Sequence, residues 1–234
     1  MEERKIIQQA ISFARENKKS IVGNRTNVDK YKPDEQPVSV FMAGSPGAGK
    51  TEFSINLLET LEKDNKKVIR IDPDDLRKEF PKYTGNNSDL FQPAVSILVD
   101  AIHDKALYNK QNFIFDGTLS DVIKAKKNIK RSLDRNREVE IVFVFQRPEV
   151  AWKFTQEREN EEGRMVPKEA FIDHCINSQK TADNLKQLFG SEIDITFVLK
   201  DLENNTVKIY ENISQVENYL PKSYTRGELE KFIL

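Results

Sequence analysis

Apolar positions in this chain follow two spacings that alternate along its length. Six short runs are continuous or nearly so: Val38 to Ala43, Lys67 to Ile71, Asn112 to Phe115, Val139 to Phe145, Asp194 to Leu199 and Val207 to Tyr210. Runs of this length between turn residues predict strands. Between them, apolar residues recur at three and four, as in Phe53, Leu57, Leu58 and Leu61. That spacing predicts helices over 51–63, 92–110, 121–136, 148–161 and 167–188. Pro93 suits the first turn of the second of these. Ile6, Ile7, Ala10, Ile11, Phe13 and Ala14 predict an amphipathic helix over 2–18, and Gly23, Asn24 and Pro33 mark 19–36 as a loop. Asn204-Asn205 predicts a turn before the last strand, and short helical segments finish the chain. Strands alternating with helices predict an α/β fold, a parallel sheet with helices on both faces. The expected organisation is an N-terminal helix and linker over 1–36, then one domain over 37–234 with a helical tail. The N-terminal helix reads as packing on that domain, with docking to a partner as the alternative.

One loop carries chemistry. Between the first strand and its helix stands Gly44-Ser45-Pro46-Gly47-Ala48-Gly49-Lys50-Thr51. This is G-x-x-x-x-G-K-T, the phosphate-binding P-loop, in the strand–loop–helix context it requires. Its glycines let backbone N–H groups turn around phosphate oxygens, and the helix N-terminus adds partial positive charge. Lys50 is expected on the β- and γ-phosphates and Thr51 on Mg²⁺. The sheet is therefore expected to be P-loop NTPase-like, binding ligand at the carboxyl ends of its strands.

Composition narrows the partners. The formal net charge is -1, with charged residues at 32% and hydrophobic residues at 38%. There is no global basic excess to attract nucleic acid, and the run from Lys124 to Arg131 reads as a solvated helix face. No apolar run reaches membrane-spanning length, and the first residues lack the apolar core of a secretory signal. A single cysteine, Cys175, excludes an intrachain disulfide and is compatible with a reducing cytoplasm, the expected location. His103 and the His174-Cys175 pair lack metal-ligand spacing, so zinc is not expected. Trp152 reads as core or base-proximal packing.

Phosphoryl transfer needs a phosphate cradle, a metal, a group to position or deprotonate the acceptor, and cations for developing charge. Asp72 and Asp74 follow the second strand directly. Either carboxylate can take a hydroxyl proton there, or Asp74 can cap the short helix that follows. Asp116 ends the third strand, where it can hold Mg²⁺, bind substrate or form a turn with Gly117. Arg158 and Arg164 flank a charged segment that either closes over a nucleotide or is a solvated charge run.

Taken in order, these stations resemble the zeta toxin family, the kinase half of epsilon–zeta toxin–antitoxin systems. The stations are the P-loop, Ile71-Asp-Pro-Asp74, Asp116-Gly-Thr118, Gln156-Glu-Arg158 and Arg164-Met-Val-Pro-Lys168, and the resemblance covers roughly 38–215. It implies transfer of the γ-phosphate of ATP, or GTP, to the 3′-hydroxyl of UDP-N-acetylglucosamine. It further implies Asp74 as base with Asp72 in support, and Arg158 and Arg164 on the phosphates. Thr118 and Asp116 would lie on the substrate side, Asp116 standing where the family usually has Glu. A small helical antitoxin that blocks the nucleotide site is the implied partner.

Overall fold

A computed structural model describes residues 2–63 and 67–233; Met1, which opens the expected 1–36 segment, lies outside them. Six strands form one sheet in the order β2-β3-β1-β4-β5-β6. They are β1 (Val38–Ala43), β2 (Ile69–Ile71), β3 (Phe113–Phe115), β4 (Glu138–Phe145), β5 (Asp194–Lys200) and β6 (Thr206–Tyr210). β1 to β5 run parallel, with Phe41 opposite Phe115 on one side and Ile141 on the other.

Side chains that alternate along these strands feed two cores. Val40, Met42, Ile114, Val142, Val144 and Val198 face α2 (Lys50–Lys63), whose Phe53, Leu57, Leu58 and Leu61 cover them. Phe41, Phe113, Ile141, Phe143 and Phe197 face the other way. There they meet α4 (Ser88–Tyr108), α5 (Val122–Leu133) and α7 (Lys168–Phe189). A third cluster joins α6 (Pro148–Glu162), α7 and the C-terminal α8 (Arg226–Phe232) through Ala151, Phe171, Ile172 and Leu229. Trp152 packs there, edge-on to Phe171.

Three details depart from the pattern-based reading. The N-terminal helix, α1 (Glu2–Arg25), runs past residue 18, because Ile21 and Val22 prolong the apolar stripe and pack on the core. It lies along α4, burying Ala10 and Ala14. Next, α4 starts at Ser88, which leaves Pro93 inside the helix instead of in its first turn. The carbonyl that loses its donor belongs to Asp89, in the exposed first turn, so the break is mild. Finally, the sheet is not wholly parallel. The 201–205 turn is too short for a crossover, so β6 folds back antiparallel to β5. Asn204 supplies the left-handed residue of that turn, at φ 67°.

The chain leaves β1 toward β2 on one side and reaches β4 on the other, so a crevice opens at the carboxyl end of β1. The P-loop fills its floor.

Candidate active site

The P-loop holds a shape only glycine permits. Gly44, Gly47 and Gly49 have φ of 129°, 72° and 83°. A Cβ on Gly44 would stand 2.3 Å from the Val144 carbonyl oxygen, and one on Gly47 2.0 Å from that of Ala151. Loop, β4 and α6 are thus in backbone contact. A Cβ on Gly49 would meet the Asn204 carboxamide, Oδ1 at 2.5 Å. The Lys50 ammonium donates to the Ser45 carbonyl at 2.6 Å, closing the loop on itself. Burial, reinforced by Arg164 and Arg158, brings the Lys50 pKa down to about 8 against the opposing pull of Asp116 and Asp74. A buried cation under a glycine cradle is a site for a multiply charged anion.

Arg70 gathers the acids. It sits between Ile69 and Ile71 on β2, and its guanidinium reaches Asp116 at 2.7 Å, Asp72 at 2.5 Å and Asp75 at 2.8 Å. Ser54 of α2 adds a hydrogen bond to the same Asp116 oxygen at 3.0 Å. Asp72, not Asp74, caps the short helix α3 (Pro73–Arg77): its Oδ1 accepts from the Asp74 N–H at 2.8 Å. Both Asp72 oxygens are therefore engaged within the protein. Burial and the neighbouring Asp74 outweigh the attraction of Arg70 and lift the Asp72 pKa to about 6.

Asp74 is free of capping duty and lies between two arginines. Arg77 pairs with its Oδ1 and Arg164 with its Oδ2. Arg77 also bonds Gln92 of α4. Arg164 arrives from the link between α6 and α7, which begins at Gly163, left-handed at φ 71°. A Cβ on Gly163 would lie 2.9 Å from Asn86 Oδ1, so this link is seated on the loop before α4.

One cavity of about 750 Å³ unites these groups. Its wall includes Pro46, Gly47, Gly49, Lys50 and Thr51 of the P-loop, then Asp72, Asp74, Asp116, Thr118, Arg158 and Arg164. Ser45 and Ala48 stand behind the loop, the former on a separate cavity beside α7. Every residue expected to carry chemistry thus comes to the end of the sheet around β1. The sequence reading missed others on the same wall: Arg77, Gln92, Ser120, His174 and Asn204. A basic residue one position before Ile71-Asp72, on an otherwise apolar strand, was a legible sign of Arg70. His174 had no such sign, because only the packing of α7 brings it to Ser120, 2.7 Å from Nδ1.

For a metal, the donor set is modest. Among the described residues no cluster of three or more metal-ligating side chains exists. Mg²⁺ suits such a wall, since it takes one or two protein oxygens and completes its shell with phosphate and water. Thr51 and Asp116 line the cavity together and fit that role.

The family model described as Zeta toxin matches residues 22–215. This chain belongs to the zeta toxin family. Among curated proteins, Toxin PezT of Streptococcus pneumoniae serotype 4 (strain ATCC BAA-334 / TIGR4) is 25% identical over 171 residues, 66% of each protein. The match thus spans just under two thirds of that relative's length. A solved chain from the PezAT chromosomal toxin–antitoxin system of Streptococcus pneumoniae superposes with a TM-score of 0.64 at 17% identity, over 97% of this chain and 87% of that one. A chain of the AvrRxo1-ORF1:-ORF2 complex with ATP gives 0.61 at 17% identity, covering 99% and 71%. These likenesses show that the α/β fold is shared with those chains. Among the described residues, no helix of this chain is long and apolar enough to cross a membrane.

Proposed function

We propose that this zeta toxin is an ATP- or GTP-dependent kinase that phosphorylates a sugar hydroxyl, with the 3′-hydroxyl of UDP-N-acetylglucosamine as acceptor. The observation that carries the reading is the convergence, in one cavity, of Lys50 in its glycine cradle with Asp74 held between Arg77 and Arg164. In this reading Lys50, Arg158 and Arg164 neutralise the phosphates and the charge that develops during transfer. Arg77 and Arg164 orient the Asp74 carboxylate. With one bond to each oxygen it keeps lone pairs for an incoming hydroxyl. Asp74 takes that hydroxyl's proton as the oxygen bonds to the γ-phosphorus, and the bond to the bridging oxygen breaks to release the diphosphate. Asp72 fixes the turn that presents Asp74. Thr118 and Asp116 face the acceptor, and Thr51 with Asp116 would hold Mg²⁺, whose bound ion neutralises phosphate charge. A small helical antitoxin is the proposed protein partner. The support is family membership and the toxin–antitoxin setting of the PezAT structure.

The test is transfer from labelled ATP to a panel of nucleotide sugars, nucleosides, nucleic-acid ends and aminoglycosides. UDP-N-acetylglucosamine is expected to take the label, with Lys50→Ala and Asp74→Ala each reducing transfer by ~100-fold or more. Labelling of a different acceptor replaces the substrate. Nucleotide binding with no labelled acceptor replaces the enzyme with a nucleotide-binding module. Full activity in Asp74→Ala removes its assignment as base.

A further inference from the structure

The cavity that holds Asp74 also contains a hydrogen-bonded chain that ties Thr118 to two residues given no role above. Thr118 Oγ1 lies 2.9 Å from Ser120 Oγ, and Ser120 Oγ lies 2.7 Å from His174 Nδ1. All three residues line the cavity. The residue between the hydroxyls, Leu119, has φ of 54°, a left-handed conformation unfavourable for a leucine. Two contacts hold it there. The Thr118 carbonyl accepts from the Gly44 N–H at 3.2 Å, and the Leu119 side chain packs on the core. The turn after β3 is thus pinned to the P-loop in a strained form that sets two hydroxyls side by side. α7 closes the chain with an imidazole. Burial, with Lys50 and Arg164 nearby, lowers the His174 pKa, and Asp173 opposes them. A neutral imidazole has one donor and one acceptor nitrogen. With Nδ1 as the acceptor, Ser120 donates to His174 and takes the Thr118 proton, which leaves the Thr118 oxygen to accept from the cavity; with Nδ1–H, Ser120 is free to donate to Thr118, whose proton then points into the cavity.

We propose that His174 is a positioning residue for the acceptor: through the Ser120 hydroxyl it fixes the orientation of the Thr118 hydroxyl on the cavity wall. The proposal rests on the kinase reading of the same cavity and adds to it the residue that sets acceptor binding. The P-loop meets this chain through the Gly44 N–H and the Thr118 carbonyl, backbone groups that substitution of Ser120 or His174 leaves in place.

Steady-state kinetics of full-length His174→Ala, His174→Asn and Ser120→Ala test it, with ATP and the acceptor that the panel identifies. His174→Ala is expected to raise the acceptor KM about 10-fold, the loss of roughly one hydrogen bond. The ATP KM should move by less than about twofold. An asparagine amide occupies the place of Nδ1 and can donate or accept, so His174→Asn should recover most of the loss. Ser120→Ala should reproduce the alanine defect, and the double variant should add little, as members of one chain do. Equal losses for ATP and acceptor, or an asparagine variant as impaired as alanine, overturn the proposal while leaving the kinase reading intact. A wild-type chain that labels no acceptor overturns both. Because His174→Asn keeps a polar group at the place of Nδ1, the test survives a misfolded alanine variant.

Discussion

Lys50 is a buried cation whose charge depends on what lies above it. Its depressed pKa of about 8 means the empty protein binds fewer protons there than the unfolded chain does between pH 8 and 10.5. Stability from this group therefore rises with pH across that window. Phosphate charge pushes the other way and restores the proton. Nucleotide binding at pH 8 should take up about half a proton, seen as a buffer-dependent enthalpy in titration calorimetry, and Lys50→Met should abolish it. Arg70 presents the converse case. Three carboxylates depend on it, and its side chain is 14% exposed. Arg70→Met should cost about 3 kcal/mol in denaturant unfolding, because it strands Asp72 and Asp116. The deficit should shrink as the pH is lowered toward 5. Asp72 already has a raised pKa of about 6, so protonation relieves the folded state first.

At the scale of elements, legibility followed locality. The P-loop helix, the five parallel strands and the helices after β3 and β4 were readable because each depends on its own apolar period. The cap of α3 was misplaced: local sequence offers Asp74, and backbone geometry gives the cap to Asp72. What escaped the sequence was juxtaposition. Arg164 and Asp74 stand 90 residues apart in the chain, and His174 and Ser120 54 apart. The end of α1 was misplaced because Gly23 reads as punctuation, yet Ile21 and Val22 carry the helix to Arg25. Packing of α1 on α4 relies on small residues, with Ala14 wholly buried at the contact. Ala14→Leu should therefore destabilise by about 1–3 kcal/mol in thermal or denaturant melts, through overpacking. Activity per folded molecule should hold, since α1 contributes nothing to the wall of the large cavity.

For the whole molecule, the proposed kinase activity predicts toxicity through a metabolite. Induced expression should arrest growth and deplete UDP-N-acetylglucosamine while a phosphorylated form accumulates, measured by mass spectrometry of nucleotide-sugar pools. Lys50→Ala and Asp74→Ala should restore both growth and the pool. Arrest that persists in both variants would separate toxicity from phosphoryl transfer. The lone Cys175 takes no part in this. Burial pushes its thiol up to about 12, so alkylation of the native protein at pH 8 should be slow and should speed on unfolding.

The stretch that starts at Gly163 bears on timing. Seated on the 84–86 loop and tied to Asp74 by Arg164, it adds Arg164 and Val166 to the cavity wall. The entropy of ordering this strap is lost when the chain folds, not at each encounter, so less binding free energy is diverted to immobilising protein. Capture then becomes a matter of exchanging one anion for another: incoming phosphate competes with a carboxylate for an arginine already in place.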